Sequence, residues 1–206
     1  MPVFTQGDNS CYFVHIPRTA GRYVSKLFEN SDRVVVDTAV QFNQLISGVV
    51  APHLHYPLYY EICKQDIPHI TVVRNPLDKF TSAIKLMSNV HNENYEPLLR
   101  DEFDCYKLIY TEIITGSNHN NWFLPQYKFI SPRTHIWKHE WGFGTNFQRW
   151  VKKKTGIEID VTPVDYVKFE EEKKEVVKEF NPSKQTIRNI KKFYRKDYKT
   201  FNYWKY

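Results

Sequence analysis

The chain has 206 residues and a formal net charge of +6, which is room for one sizeable core, and it is read as one domain over residues 1–206. A hydrophobic share of 41% with 16% aromatic residues excludes a disordered or fibrous polypeptide. There is no apolar run of transmembrane length and no charged-then-apolar leader, so a soluble, cytoplasmic or otherwise intracellular protein without signal peptide or anchor is expected.

In chain order, Cys11–Ile16 reads as a strand that stops at Pro17, which cannot continue a ladder. The loop Pro17–Tyr23 follows, and from Gly21 the apolar residues Val24, Leu27 and Phe28 fall at helical spacing. Arg33–Asp37 is a second strand, a helix begins near Thr38, and Val49–Ala51 is a short strand. The strand Ile70–Arg74 leads into a helix from Pro76 with Leu77, Phe80, Ile84 and Met87 on one face. Another helix starts near Pro97. The strand Thr134–Lys138 precedes a helix from Thr145, and a last helix from near Pro182 carries Ile187, Ile190, Tyr194, Tyr198 and Phe201. Strands of continuous apolar character alternating with helices predict an α/β layer fold, with a mostly parallel sheet flanked by helices.

The three cysteines, Cys11, Cys63 and Cys105, are odd in number and widely spaced. They form no metal-type pair and no disulfide framework, as in a reducing compartment. Residues 152–206 hold 15 Lys or Arg against 9 Asp or Glu, whereas the first 151 residues hold 14 of each. The basic end is interleaved with Glu170–Glu172 and with Phe193-Tyr194. That pattern fits solvated helix faces better than a nucleic-acid-binding tail, so no nucleic-acid partner is expected.

Two loops carry the chemistry. In the first, Arg18, Arg22, the Thr19 hydroxyl and the backbone N–H groups of a helix start suit a phosphate or sulfate; the alternative is a surface turn with solvated arginines. In the second, Arg74 ends a strand, Pro76 lies near the first turn of a helix and Ser82 lies further along it. An arginine there is able to hold an anion bidentately or to pair with a carboxylate such as Asp78. In parallel sheets ligands gather beyond the C-terminal strand ends. Two such loops at one sheet edge point to a ligand with two separated phosphate groups.

The segment His15-Ile16-Pro17-Arg18-Thr19-Ala20-Gly21 resembles the 5′-phosphosulfate loop of sulfotransferases that use 3′-phosphoadenosine-5′-phosphosulfate (PAPS). It is most similar to the branch of heparan-sulfate 2-O-sulfotransferase and the Golgi carbohydrate sulfotransferases, where the loop reads His-Ile-Pro-Lys-Thr-Ala-Gly-Thr-Ser. Val73-Arg74-Asn75-Pro76 through Ser82 resembles the family's 3′-phosphate segment, an arginine with a serine eight residues later. Asn121–Tyr127 is similar to an aromatic-x-x-Pro-Gln segment, Ile136–Glu140 to a strand ending near Lys-x-Glu, and Ile190–Tyr203 to the family's C-terminal helix. The resemblance implies the sulfotransferase fold, a P-loop-kinase-like sandwich. It also implies transfer of a sulfonate from PAPS to a hydroxyl or amine, most naturally of a carbohydrate, with no metal. The nucleoside-triphosphate signature Gly-x-x-x-x-Gly-Lys-Ser/Thr is absent.

By that resemblance Arg18, Thr19, Ala20, Gly21, Arg22 and Tyr23 hold the phosphosulfate, while Arg74 and Ser82 hold the 3′-phosphate. Arg18 stands where the family has lysine, and Arg22-Tyr23 where it has Thr-Ser. Arginine keeps its proton, so Arg18 neutralises and positions charge without donating a proton. Ala51-Pro52-His53-Leu54-His55-Tyr56 resembles the family's Gly-His-Val/Ile/Leu segment, which makes His53 the expected base and His55 the second choice. A catalytically degenerate module that binds an anionic glycan or nucleotide is the alternative, followed by a nucleic-acid binder.

Overall fold

The structure is a computed structural model and describes residues 2–38, 45–46, 49–50, 53–56, 58–62, 66–90, 121–161 and 180–204. Thr38, near which a helix was expected to begin, instead closes a strand that starts at Val35, and Leu45–Ile46 and Val49–Val50 are strands as well. The helix near Pro97, the Ala51 end of the short strand, Cys63 and Cys105 fall outside the described residues.

Five strands form one sheet: β1 (Pro2–Gln6), β2 (Asn9–Val14), β3 (Val35–Thr38), β6 (His69–Val73) and β7 (Thr134–Lys138). Two shorter strands, β4 (Leu45–Ile46) and β5 (Val49–Val50), pair antiparallel with each other. The order in the main sheet is β3-β1-β2-β6-β7. β2, β6 and β7 run parallel, whereas β1 is antiparallel to both β2 and β3. The architecture is therefore α/β with a mixed sheet rather than a mostly parallel one. The difference comes from β1, which is joined to β2 by a two-residue hairpin turn. Gly7 takes φ 58° there, the left-handed value that such turns require and that glycine adopts without a Cβ clash.

The helices are α1 (Gly21–Glu29), α2 (Leu58–Ile62), α3 (Pro76–Val90), α4 (Thr145–Thr155), α5 (Lys184–Phe193) and α6 (Arg195–Thr200). Alternate residues of the central strands face opposite sides of the sheet. Phe13, Ile70, Val72 and Trp137 pack with Val24, Leu27 and Phe28 of α1 and with Phe147 and Val151 of α4. Tyr12, Val14 and Val73 pack on the other side with Phe80, Ala83 and Ile84 of α3, Ile190 of α5 and Tyr198 of α6. Both faces of β2 and β6 are thus covered, which explains their unbroken apolar runs. The α5 and α6 basic residues Lys184, Arg188, Lys192, Arg195 and Lys199 are exposed, opposite the buried stripe Ile190, Tyr194 and Tyr198. No helix among the described residues is long and apolar enough to cross a membrane.

Candidate functional site

The parallel register of β2 and β6, with Val14 opposite Thr71, brings the two basic loops to the same end of neighbouring strands. The Thr71 hydroxyl donates to the Val14 carbonyl at 2.7 Å and locks that junction. Beyond it the chain turns sharply: Arg18 has φ 67° and Ala20 φ 72°, left-handed values that cost a non-glycine residue about 1 kcal/mol or more each. The turn is held by Thr19, which is fully buried and donates its hydroxyl to the Ile16 carbonyl at 2.8 Å. The Thr19 hydroxyl is therefore taken up by the loop's own backbone rather than turned to solvent. Ala20 is the N-cap of α1 and provides no side-chain cap, so the first-turn N–H groups of α1 are not satisfied by their own cap residue.

The two loops meet through side chains. The Arg18 guanidinium donates to the Ser82 hydroxyl through Nε at 3.1 Å and through a terminal nitrogen at 2.8 Å. Arg22 is exposed at the first turn of α1. Tyr23 points the other way, buried against Phe143 with ring centroids 5.4 Å apart, so its ring serves the core rather than the loop surface.

Gly21 is required by a close approach. A Cβ there would lie 2.0 Å from Cδ2 and 2.2 Å from Nε2 of His15, so the buried His15 ring rests directly on the helix start. The His15 ring in turn stands edge-on to His53, with centroids 5.1 Å apart. Burial, followed by the charges of His53, Arg22, the N-terminus and Arg18, keeps His15 well below the usual histidine range; it is a neutral ring at physiological pH. The expected base His53 is thereby placed against the first loop. His55 lies elsewhere: its Nδ1 is 3.4 Å from the Asn121 amide nitrogen, and burial plus the Lys128 charge lower its pKa. Asn121 also donates to the His53 carbonyl at 2.9 Å.

Arg74 leaves β6 held by Gln126, whose Oε1 accepts from the Arg74 N–H at 2.9 Å while its Nε2 donates to the Arg74 carbonyl at 2.8 Å. The neighbouring Asn75 N–H donates to Glu140 Oε1 at 2.6 Å, and Tyr203 donates its hydroxyl to Glu140 Oε2 at 2.8 Å. Gln126, Glu140 and His15 lie in segments that carry the resemblance, but it assigns none of them a role in the site. Gln126 was visible only as part of the Pro-Gln segment.

A cleft of about 510 Å³ opens at the other end of the sheet, between Gln6, Gly7, Arg33, Gln148 and Glu158. It shares no residue with the loops, and its charges are partly matched within it, Arg33 with Asp32 at 3.3 Å. The described residues contain no group of three or more His, Cys, Asp or Glu placed to hold a metal ion. No protein-family model, curated protein or solved structure matches the chain.

Proposed function

We propose that the protein is a sulfotransferase that moves a sulfonate group from PAPS to a hydroxyl, most naturally of a carbohydrate. The observation that carries this is the Arg18–Ser82 contact, which joins the two anion-ready loops across adjacent parallel strands. A ligand with a 5′-phosphosulfate and a 3′-phosphate matches two cationic loops joined at one serine. The donor set also fits: one always-charged guanidinium in each loop, an uncapped helix start and the exposed Arg22.

In the transfer, the sulfur forms a bond to the acceptor oxygen as its bond to the phosphate oxygen breaks, and the electron pair of that bond stays with the departing phosphate. Arg18 and the α1 N–H groups stabilise the negative charge that collects there. Arg18 does not release a proton, so the phosphate leaves as the anion. Arg74 and Ser82 hold the 3′ side and fix the orientation of the donor. His53 takes the proton of the acceptor hydroxyl, a role suited to imidazole near neutral pH, and the neutral His15 ring stands edge-on against it.

The test is transfer of radiolabelled sulfate from PAPS to a panel of saccharides, lipids and small alcohols. Wild type is expected to label at least one saccharide, and Arg18→Ala to lose about 10²–10³ in kcat. An unimpaired Arg18→Ala enzyme refutes the assignment, and nucleotide binding without transfer to any acceptor identifies a binding module instead.

A further inference from the structure

Lys79 is the one lysine in the buried core of the described residues, fully buried on the inner face of α3. Its Nζ donates to the carbonyls of Trp122 at 2.5 Å and Leu124 at 3.2 Å. Asp197, also fully buried, lies in the first turn of α6 and accepts from the N–H groups of Gln126 at 2.8 Å and Tyr127 at 2.9 Å. One short segment, Trp122–Tyr127, is therefore gripped by the Lys79 amine at its carbonyls and by the Asp197 carboxyl group at its amides. Tyr194 adds a third hold by donating its hydroxyl to the Phe123 carbonyl at 2.6 Å. The output of this grip is the Gln126 side chain, which closes two hydrogen bonds onto the backbone of Arg74 just past the end of β6.

Stability alone is a poor reason for the arrangement. Two opposite charges taken out of water regain at best most of their desolvation cost, and well-packed apolar side chains often do as well or better. What a buried, directional network supplies is a single geometry. We propose that Lys79 and Asp197 are positioning residues that act through Gln126 to hold Arg74 in register for the 3′-phosphate of the bound nucleotide. The assignment rests on the proposed sulfotransferase clamp and adds the element that aligns one of its two arginines.

The experiment uses wild type, Lys79→Met and Gln126→Met, the last of which keeps both buried charges and so decides the matter if Lys79→Met does not fold. Amide hydrogen exchange is measured without ligand, and binding of adenosine 3′,5′-bisphosphate and of adenosine 5′-monophosphate by calorimetry. In both variants the Arg74 amide is expected to exchange at least about tenfold faster, while Ile70 and Val72 within β6 keep their protection. Bisphosphate affinity is expected to fall about tenfold, the size of one charge-assisted hydrogen bond, and monophosphate affinity by less than about threefold. Wild-type protein that does not bind the bisphosphate overturns the nucleotide clamp and the pair's role in it. Wild-type binding together with unchanged Arg74 exchange, or with equal losses for both nucleotides, overturns the positioning role alone.

Discussion

Complete burial lowers the Lys79 ammonium from its ordinary 10.5 to about 7; the charge of Asp197 opposes the shift and that of Arg18 adds to it. The unfolded chain therefore binds one more proton than the folded chain between about pH 7 and 10.5, and stability contributed at this site rises with pH through that window. The slope reaches about 1.4 kcal/mol per pH unit at most. Denaturant unfolding at pH 7 and pH 9 is expected to show this gain in wild type and to lose it in Lys79→Met; equal slopes would exclude a titrating Lys79. Gly21 acts at the same scale by contact alone. In Gly21→Ala the new methyl forces the His15 ring away from the helix start, and that ring stands edge-on to His53 with centroids 5.1 Å apart. A displacement near 1 Å at a base costs about a hundredfold in rate, so kcat of sulfate transfer is expected to drop by about that factor. A Gly21→Ala enzyme with unchanged kcat would show that His15 does not support His53.

Helix α5 illustrates what local chemistry contributes to an element. Ser183 caps it by accepting from the Thr186 N–H at 3.1 Å, and Lys191 and Lys192 sit in its last turn, where the helix dipole favours cations. Ser183→Ala is expected to cost about 1 kcal/mol of stability, read as a lower unfolding midpoint with an unchanged slope. Such signals made much of the fold readable in the amino-acid sequence: β7 begins and ends where its apolar run does, and α1, α3 and α4 start at the expected Gly21, Pro76 and Thr145. β1 escaped because Pro2-Val3-Phe4-Thr5-Gln6 is short, opens on proline and turns polar, although it lies inside the sheet between β3 and β2. β3 starts at Val35, two residues later than Arg33, which instead takes φ 58° in the turn before it. The positions of the two loops were legible, because Pro17 and Pro76 mark where a strand gives way to a helix, while the use of their arginines stayed open between an anion and a solvated turn. The support of the loops was not legible. Lys79 and Asp197 each sit on an otherwise apolar helical stripe, beside Phe80 and Ala83 and beside Tyr194 and Tyr198; a charge in that register was the available signal, and only the fold pairs the two.

At the scale of the whole molecule, strand order makes the site. The hairpin β1–β2 and the antiparallel β3 occupy one side of the sheet, so β2, β6 and β7 are left as a parallel block. All three then end at the same edge, with the loop after β2, Arg74 after β6 and Glu140 after β7. Arg18, Arg22 and Arg74 are all carried at that edge, beside a helix whose N-cap Ala20 provides no side-chain cap, while the cleft at the opposite end is a separate feature of the hairpin side. The positive charge of the C-terminal helices stays on their exposed faces, away from the stripe that packs on the sheet. The central claim is that the two loops form one clamp for a nucleotide with phosphates at both ends. Calorimetric titration of adenosine 3′,5′-bisphosphate into wild type, Arg18→Ala and Arg74→Ala tests it most directly. Binding to wild type that weakens at least about tenfold in each variant is the predicted result; no binding to wild type, or equal affinity in all three proteins, would contradict the clamp.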